Sequence, residues 1–289
     1  MNNNGQDKIY QIVNDQIIAL LEKELIPWHK PWKSQGVPVN FKGNSYRGIN
    51  SFILNCSQIA NSYKSNRWAS MKQINELNGS VKAGEKSQIV IYWNWIELED
   101  KQTGKTEKKP FLKYYRVFNL DQTTIKIEAP TVISLKEFNP IEEAEKIITA
   151  YKNKPTINHV LGDSAHYNPV KDIVVMPTKE QFKADSFYYS TLFHELVHST
   201  GHETRLNRHS EIKDHYFGSV DYGKEELIAE MGNAFLCGIA KINQDEIENS
   251  AAYIQNWLKA IKQDSKLLVQ SAAKAQKASD YILGVTYND

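Results

Sequence analysis

The sequence predicts an α+β protein of two domains: an N-terminal α/β domain, then a mainly helical domain with a small sheet. Three observations point there. Two β-branched, aromatic stretches at residues 87–98 and 111–119 read as a hairpin in the first half. After residue 140 most apolar residues recur at helical spacing. Charge divides the chain at the same place, with 18 Lys+Arg against 11 Asp+Glu in residues 1–127, a net of +7, and a net of −6 in the rest. The expected domains are residues 1–127 and 141–289, joined by a linker at 128–140 that holds Pro130 and Pro140 and lacks a strong helical period.

Composition narrows the class. A chain of 289 residues is long enough to bury a sizeable core. Hydrophobic residues at 41% and charged residues at 24% suit a soluble globular protein. The first seven residues lack the basic and apolar regions of a signal peptide, and no apolar run approaches the ~18–20 residues of a membrane span. Cys56 and Cys237 are the only cysteines and lie far apart, so neither a disulfide framework nor a cysteine zinc site is expected. The expected location is the cytoplasm, with no membrane partner.

In the basic half, residues 9–25 place Ile9, Ile12, Val13, Ile17, Leu20, Leu21 and Leu25 on a helical stripe that Pro27 ends. An extended segment follows, Trp28-His29-Lys30-Pro31-Trp32-Lys33, and then a turn-rich loop around Tyr46-Arg47-Gly48. Helices are expected at 49–62 and 70–77, ahead of the hairpin with its long charged tip. Cations beside aromatic rings recur throughout this half, which also holds five of the six tryptophans. Such pairs suit unstacked bases, with cations tracking phosphates and rings offering platforms. The candidate nucleic-acid contacts are Trp28, Lys30, Trp32, Lys33, Tyr46, Arg47, Arg67, Trp68, Lys72, Lys82, Lys86, Lys113 and Arg116. The competing account puts the tryptophans in the core and the lysines on ordinary solvated surface.

The acidic half carries the chemistry. Helix 141–151 and strand 157–161 lead to a hairpin around Val170-Lys171, and residues 173–176 are the candidate edge strand that would hold a substrate backbone. Thr178 and Gln181 form a capping box. Asp185 or Ser186 then caps a helix with the apolar stripe Tyr189, Leu192, Phe193, Leu196 and Val197, and Gly201 stops it. At the edge of that stripe lies His194-Glu195-Leu196-Val197-His198. Residues four apart on a helix face the same way, so both imidazoles can reach one ion, and Glu195 stands where a general base for an activated water belongs. A second helical segment carries Glu226 and Glu230 on one face, and either carboxylate would complete the site. Thr204 occupies the position a third histidine would need, and His202 lies beyond the Gly201 break. Tyr222 and Tyr167 are candidate oxyanion donors. Helices at 251–261 and 267–283 read as scaffold.

With these residues laid out, the chain resembles the ArdC-type antirestriction proteins of conjugative plasmids and mobile elements. The likeness covers nearly the whole chain. It rests on Pro27-Trp28 and Pro31-Trp32, Tyr46-Arg47-Gly48-Ile49-Asn50, Gly84-Glu85-Lys86, Val117-Phe118-Asn119, the run from His194 to His202, and Glu225-Glu226-Leu227-Ile228-Ala229-Glu230-Met231-Gly232. The resemblance implies a single-stranded DNA-binding domain joined to a zincin-like metallopeptidase domain; double-stranded DNA stands beside it as a second candidate partner. It also implies that Glu226 completes a zinc site with His194 and His198, other divalent ions being acceptable to the same ligands, and that Glu230 supports a histidine from behind. Glu230 stands where aspartate is usual. The expected function is protection of incoming plasmid DNA from restriction. Two alternatives stand beside it: an intracellular peptidase that cleaves a regulatory protein, and a DNA-binding protein whose metal is purely structural.

Overall fold

The computed structural model of the chain describes residues 3–23, 26–28, 37–99, 106–125, 140–211, 220–242 and 251–286. The fold is α+β in two domains. The N-terminal one runs α1 (Asn3–Leu21), β1 (Val39–Asn40), α2 (Ile49–Ala60), β2 (Arg67–Ser70), α3 (Met71–Glu76), β3 (Gln88–Glu99) and β4 (Thr106–Asn119). The C-terminal one runs α4 (Pro140–Ala150), β5 (Thr156–Val160), β6 (His166–Asn168), β7 (Ile173–Pro177), α5 (Asp185–Ser199), α6 (Val220–Ala240), α7 (Ala251–Gln263) and α8 (Leu267–Leu283). Of the expected linker at 128–140, residues 128–139 lie outside the described residues and Pro140 opens α4. No helix among the described residues is long and apolar enough to cross a membrane.

Four strands in the order β1-β2-β4-β3 make the first sheet. The hairpin β3–β4 pairs from Gln88↔Val117 out to Glu99↔Thr106, so pairing continues through part of the stretch expected as a loose tip. Pro110 does not interrupt it, for a reason visible at Ile91. The Asn50 side chain bonds both the N–H (2.8 Å) and the C=O (2.7 Å) of Ile91, so the polar groups of Ile91 point away from β4. Trp95 has the same parity as Ile91 and pairs with Pro110. Pro110 therefore occupies a position at which no N–H is asked of it.

The second sheet has the order β5-β7-β6, with β7 parallel to β5 and antiparallel to β6. The strand at 173–176, expected at an edge, is thus the central one. Val174 and Met176, on the face packed against the main core, are wholly buried, and the edges fall to β5 and β6.

The two domains share a core. Trp28 packs edge-on against Phe52 of α2 (6.2 Å between centroids) and against Trp257 of α7 (5.3 Å), while Phe52 stacks on Phe235 of α6 at 4.9 Å. The Tyr46-Arg47-Gly48-Ile49-Asn50 segment fastens the same seam. Arg47 pairs with Asp280 of α8, the N–H of Gly48 donates to Gln276 Oε1 at 3.0 Å, Ile49 is buried, and Asn50 clasps β3. Gly48 has φ +55, which explains glycine at that position.

Candidate metal centre

Helix α5 buries Tyr189, Leu192, Phe193, Leu196 and Val197, as the stripe predicts. It begins one residue earlier than a cap at Asp185 or Ser186 would allow: Ala184 is the cap residue, and Asp185 sits in the first turn, 3.5 Å from Lys179. Helix α6 crosses it closely because residue 232 is glycine. A Cβ there would come within 2.8 Å of both Val197 methyls, so any larger residue would hold the helices apart. That approach carries the first turns of α6 up to the histidines.

Three ligand atoms meet at the crossing. His194 Nε2 and His198 Nε2 are 3.1 Å apart, Glu226 Oε2 is 3.5 Å from the first, and Glu226 Oε1 is 3.4 Å from the second. Ligands about 2.0–2.1 Å from a tetrahedral ion are separated by about 3.3 Å, and the two imidazole nitrogens and the two carboxylate oxygens facing them lie close to that spacing. Two imidazoles and a carboxylate are also a donor set that divalent ions of this class accept. The group His194, His198 and Glu226 therefore fits a metal. Glu195, between the two histidines in sequence, is buried and its charge acts on both. His202 stands apart, its Nδ1 2.9 Å from Thr204 Oγ1 on a turn.

Behind each imidazole sits another acid. Glu230 Oε1 lies 3.7 Å from Nδ1 of His194, and Glu225 Oε1 lies 3.5 Å from Nδ1 of His198. Glu225 is itself gripped. Arg208 donates to its two oxygens at 2.6 and 3.2 Å, and His209 Nε2 is 3.6 Å away. Arg208 also donates to Thr200 Oγ1 at 2.6 Å and to the Val197 carbonyl at 3.0 Å, tying the end of α5 to the start of α6. Gly201 makes room for this cluster, since a Cβ there would collide with the His209 ring.

The electrostatics follow from burial and pairing. Burial disfavours charge on His194 and His198, yet the hydrogen bonds that they donate to Glu226 (and, for His198, to Glu225) outweigh it and raise both pKa values, His198 the more strongly. Burial would raise Glu225 and Glu226, and their histidine partners (with Arg208, for Glu225) instead hold both below the usual carboxylate range. The pocket demands positive charge between its acids. Protons on the histidines or a divalent ion can supply it, and the two compete.

Tyr167 is not a free oxyanion donor. Its hydroxyl donates to Asp172 Oδ1 at 2.7 Å and accepts from Arg205 Nη2 at 3.1 Å, while Arg205 closes the triangle on Asp172. Tyr222 lies in the first turn of α6.

The expected nucleic-acid contacts divide. Trp28 and Trp68 are fully buried, Trp28 in the shared core and Trp68 with Leu54, Val90 and Val117, so neither ring offers a face to a base. Both are corrected to core residues. Lys30, Trp32 and Lys33 lie outside the described residues. Arg47 is committed to Asp280, Arg67 donates to the Phe41 carbonyl at 3.3 Å, and Lys82 donates to the Asp121 carbonyl at 2.7 Å. Tyr46 is half-buried against the Trp68 cluster, and burial together with Tyr115 raises its pKa. Lys72, Lys86, Lys113 and Arg116 remain exposed. Composition alone could not separate core rings from surface rings; the strand register does.

Comparison with known proteins agrees with this geometry. Residues 7–118 match the N-terminal domain of anti-restriction factor ArdC, and residues 142–274 match the zincin-like metallopeptidase family. The crystal structure of metal-free antirestriction ArdC from the R388 plasmid superposes with a TM-score of 0.79 at 38% identity, covering 94% of this chain and 96% of that one. The chain belongs to the ArdC antirestriction family. The Mn(II)-bound form of the R388 protein is similar too, with a TM-score of 0.78 at 35% identity over 95% of this chain and 97% of that one. An uncharacterized protein of Sinorhizobium fredii, y4eC, is 30% identical over 95% of this chain and 91% of its own length. Two Escherichia coli DNA primases named TraC are each 33% identical over 95% of this chain, which spans only 27% and 20% of their lengths.

Proposed function

We propose that this member of the family protects incoming plasmid DNA from restriction by binding single-stranded DNA through its N-terminal half, and that its C-terminal half is a zinc-dependent peptidase acting in the cytoplasm. The observation that carries the peptidase reading is the convergence of His194 Nε2, His198 Nε2 and Glu226 beside the buried Glu195. His194, His198 and Glu226 would hold the ion, with Glu225 and Glu230 fixing the imidazoles through Nδ1. The ion, when bound, supplies Lewis acidity that polarises a scissile carbonyl and acidifies water. Glu195 takes a proton from the attacking water, the oxygen joins the carbonyl carbon as the C–N bond breaks, and Glu195 delivers the proton to the leaving amine.

The DNA reading is supported by the +7 charge of residues 1–127, by the exposed cations of that half, and by the names of the relatives, an antirestriction protein of a plasmid and two DNA primases. The test uses wild type and Glu195→Ala, both loaded with Zn(II) and assayed on a mixed fluorogenic peptide library and on labelled single strands. The peptidase reading expects cleavage by wild type, none by the variant, and equal metal content and DNA affinity. Equal cleavage by both, or none by either, contradicts it.

A further inference from the structure

Among the residues whose side chains are described, the large aromatics left exposed are Tyr92, Trp93, Tyr114 and Tyr115, at 41–46%, and all four belong to the hairpin β3–β4. The register sorts them. Val90 faces Tyr115 and Tyr92 faces Lys113, so Tyr92, Lys113 and Tyr115 share one face, while Trp93 and Tyr114 share the other. On the first face Tyr92 and Tyr115 meet as a diagonal pair, 5.8 Å between centroids at 61°. Tyr115 is further held by Tyr46, and its cross-strand neighbour Val90 is buried in the Trp68 cluster, so the pair is anchored at one side. The Lys113 ammonium lies beside it, 4.8 Å over the Phe111 ring. On the other face Arg116 is engaged with Ser87 at 3.1 Å.

Charge favours a polyanion here. Residues 87–96 and 110–119 contain no Asp or Glu, so nothing in either strand along this stretch opposes a phosphate beside Lys113. Exposed π-faces with a neighbouring cation suit bases that are free to stack, and a duplex keeps its base faces covered.

We propose that the Tyr92–Lys113–Tyr115 face of the hairpin is the stacking platform for single-stranded DNA, with bases against the two tyrosines and a phosphate on Lys113. This rests on the reading that the N-terminal half binds single strands, and it moves that surface from the tryptophans to the hairpin.

The test is anisotropy of labelled oligothymidylate with the full-length chain, over a range of salt. Tyr92→Ala/Tyr115→Ala weakens binding at least about 25-fold, since each of two stacked bases contributes a factor of about five or more. Tyr92→Phe/Tyr115→Phe keeps the rings and binds like wild type. Lys113→Ala lowers the salt slope by about 0.7, as loss of one phosphate contact on a single strand requires. The control on the opposite face, Trp93→Ala/Tyr114→Ala, leaves affinity within about threefold. If wild type binds and the Tyr92/Tyr115 alanine pair binds equally well, or the loss appears only in the Trp93/Tyr114 control, the platform is elsewhere while the DNA reading stands. If wild type itself fails to bind, the DNA reading falls and the platform with it.

Discussion

Glu225 Oε1 lies 3.5 Å from Nδ1 of His198, and Arg208 Nη2 holds the same oxygen at 2.6 Å. The imidazole whose Nε2 would face an ion is thus set from behind by a carboxylate that Arg208 keeps from swinging away. Removing either support should loosen the metal without deleting a ligand. Glu225→Gln is expected to weaken Zn(II) affinity about 10–100-fold in competition with a chromogenic chelator. Arg208→Ala should do the same, and it should also cost about 3–5 kcal/mol in denaturant unfolding because it strands a buried charge. An affinity unchanged in both variants would contradict the arrangement.

Gly232→Ala tests the close approach of the two site helices. The added methyl meets Val197 at 2.8 Å, so about 1–3 kcal/mol of stability and part of the metal affinity should be lost. Val197→Ala removes the obstructing methyls, so the double variant should be less destabilised than the sum of the singles. A double-mutant cycle measures that coupling, and strict additivity would mean the helices separate by another route.

Acid should release the ion. The pKa values of His194 and His198 are raised above the ordinary 6.5 by their glutamate partners, so protons begin to compete for the ligand nitrogens above that pH rather than below it. The sign is fixed: raised histidine pKa values make the protonated form persist as pH climbs, so metal affinity rises with pH and falls on acidification through neutrality. Isothermal titration with Zn(II) in two buffers of different ionisation enthalpy should show proton release near neutral pH. No release at pH 6.5–7 would contradict the raised values.

Trp28→Ala should behave as a core lesion. Its ring bridges α2 and α7, so truncation is expected to cost about 3–5 kcal/mol. Because the domains share that core, thermal unfolding followed separately by tryptophan fluorescence and by metal release should shift together. Transitions that move apart would show two independently folding halves.

The candidate metal-binding residues were legible because their pattern is local: an i, i+4 pair on one helix and a glutamate on the face of the next. The spacing of Glu226 and Glu230 left two candidates, and the packing set by Gly232 separates them, bringing Glu226 to the Nε2 atoms and Glu230 to Nδ1 of His194. Glu225 was hidden. It lies 100° around the helix from Glu226, and periodicity treats such a neighbour as belonging to another face, whereas the two nitrogens of His198 reach both. Arg208 had no signal, being a turn residue whose partner lies 17 residues away. Trp28 and Trp68 were misplaced for a different reason. A tryptophan beside a lysine reads the same in a core or on a surface, and only the strand register and the covering helices put Trp28 and Trp68 inside and Tyr92 and Tyr115 outside. The position of β7 was likewise a matter of strand order, which no local pattern carries.

The most direct measurement is the metal content and Zn(II) affinity of purified wild type beside His194→Ala and Glu226→Ala. One ion per chain in wild type, with affinity reduced by several orders of magnitude in both variants, is the predicted result. A Glu226→Ala protein that holds its ion as tightly as wild type would contradict the three-residue centre.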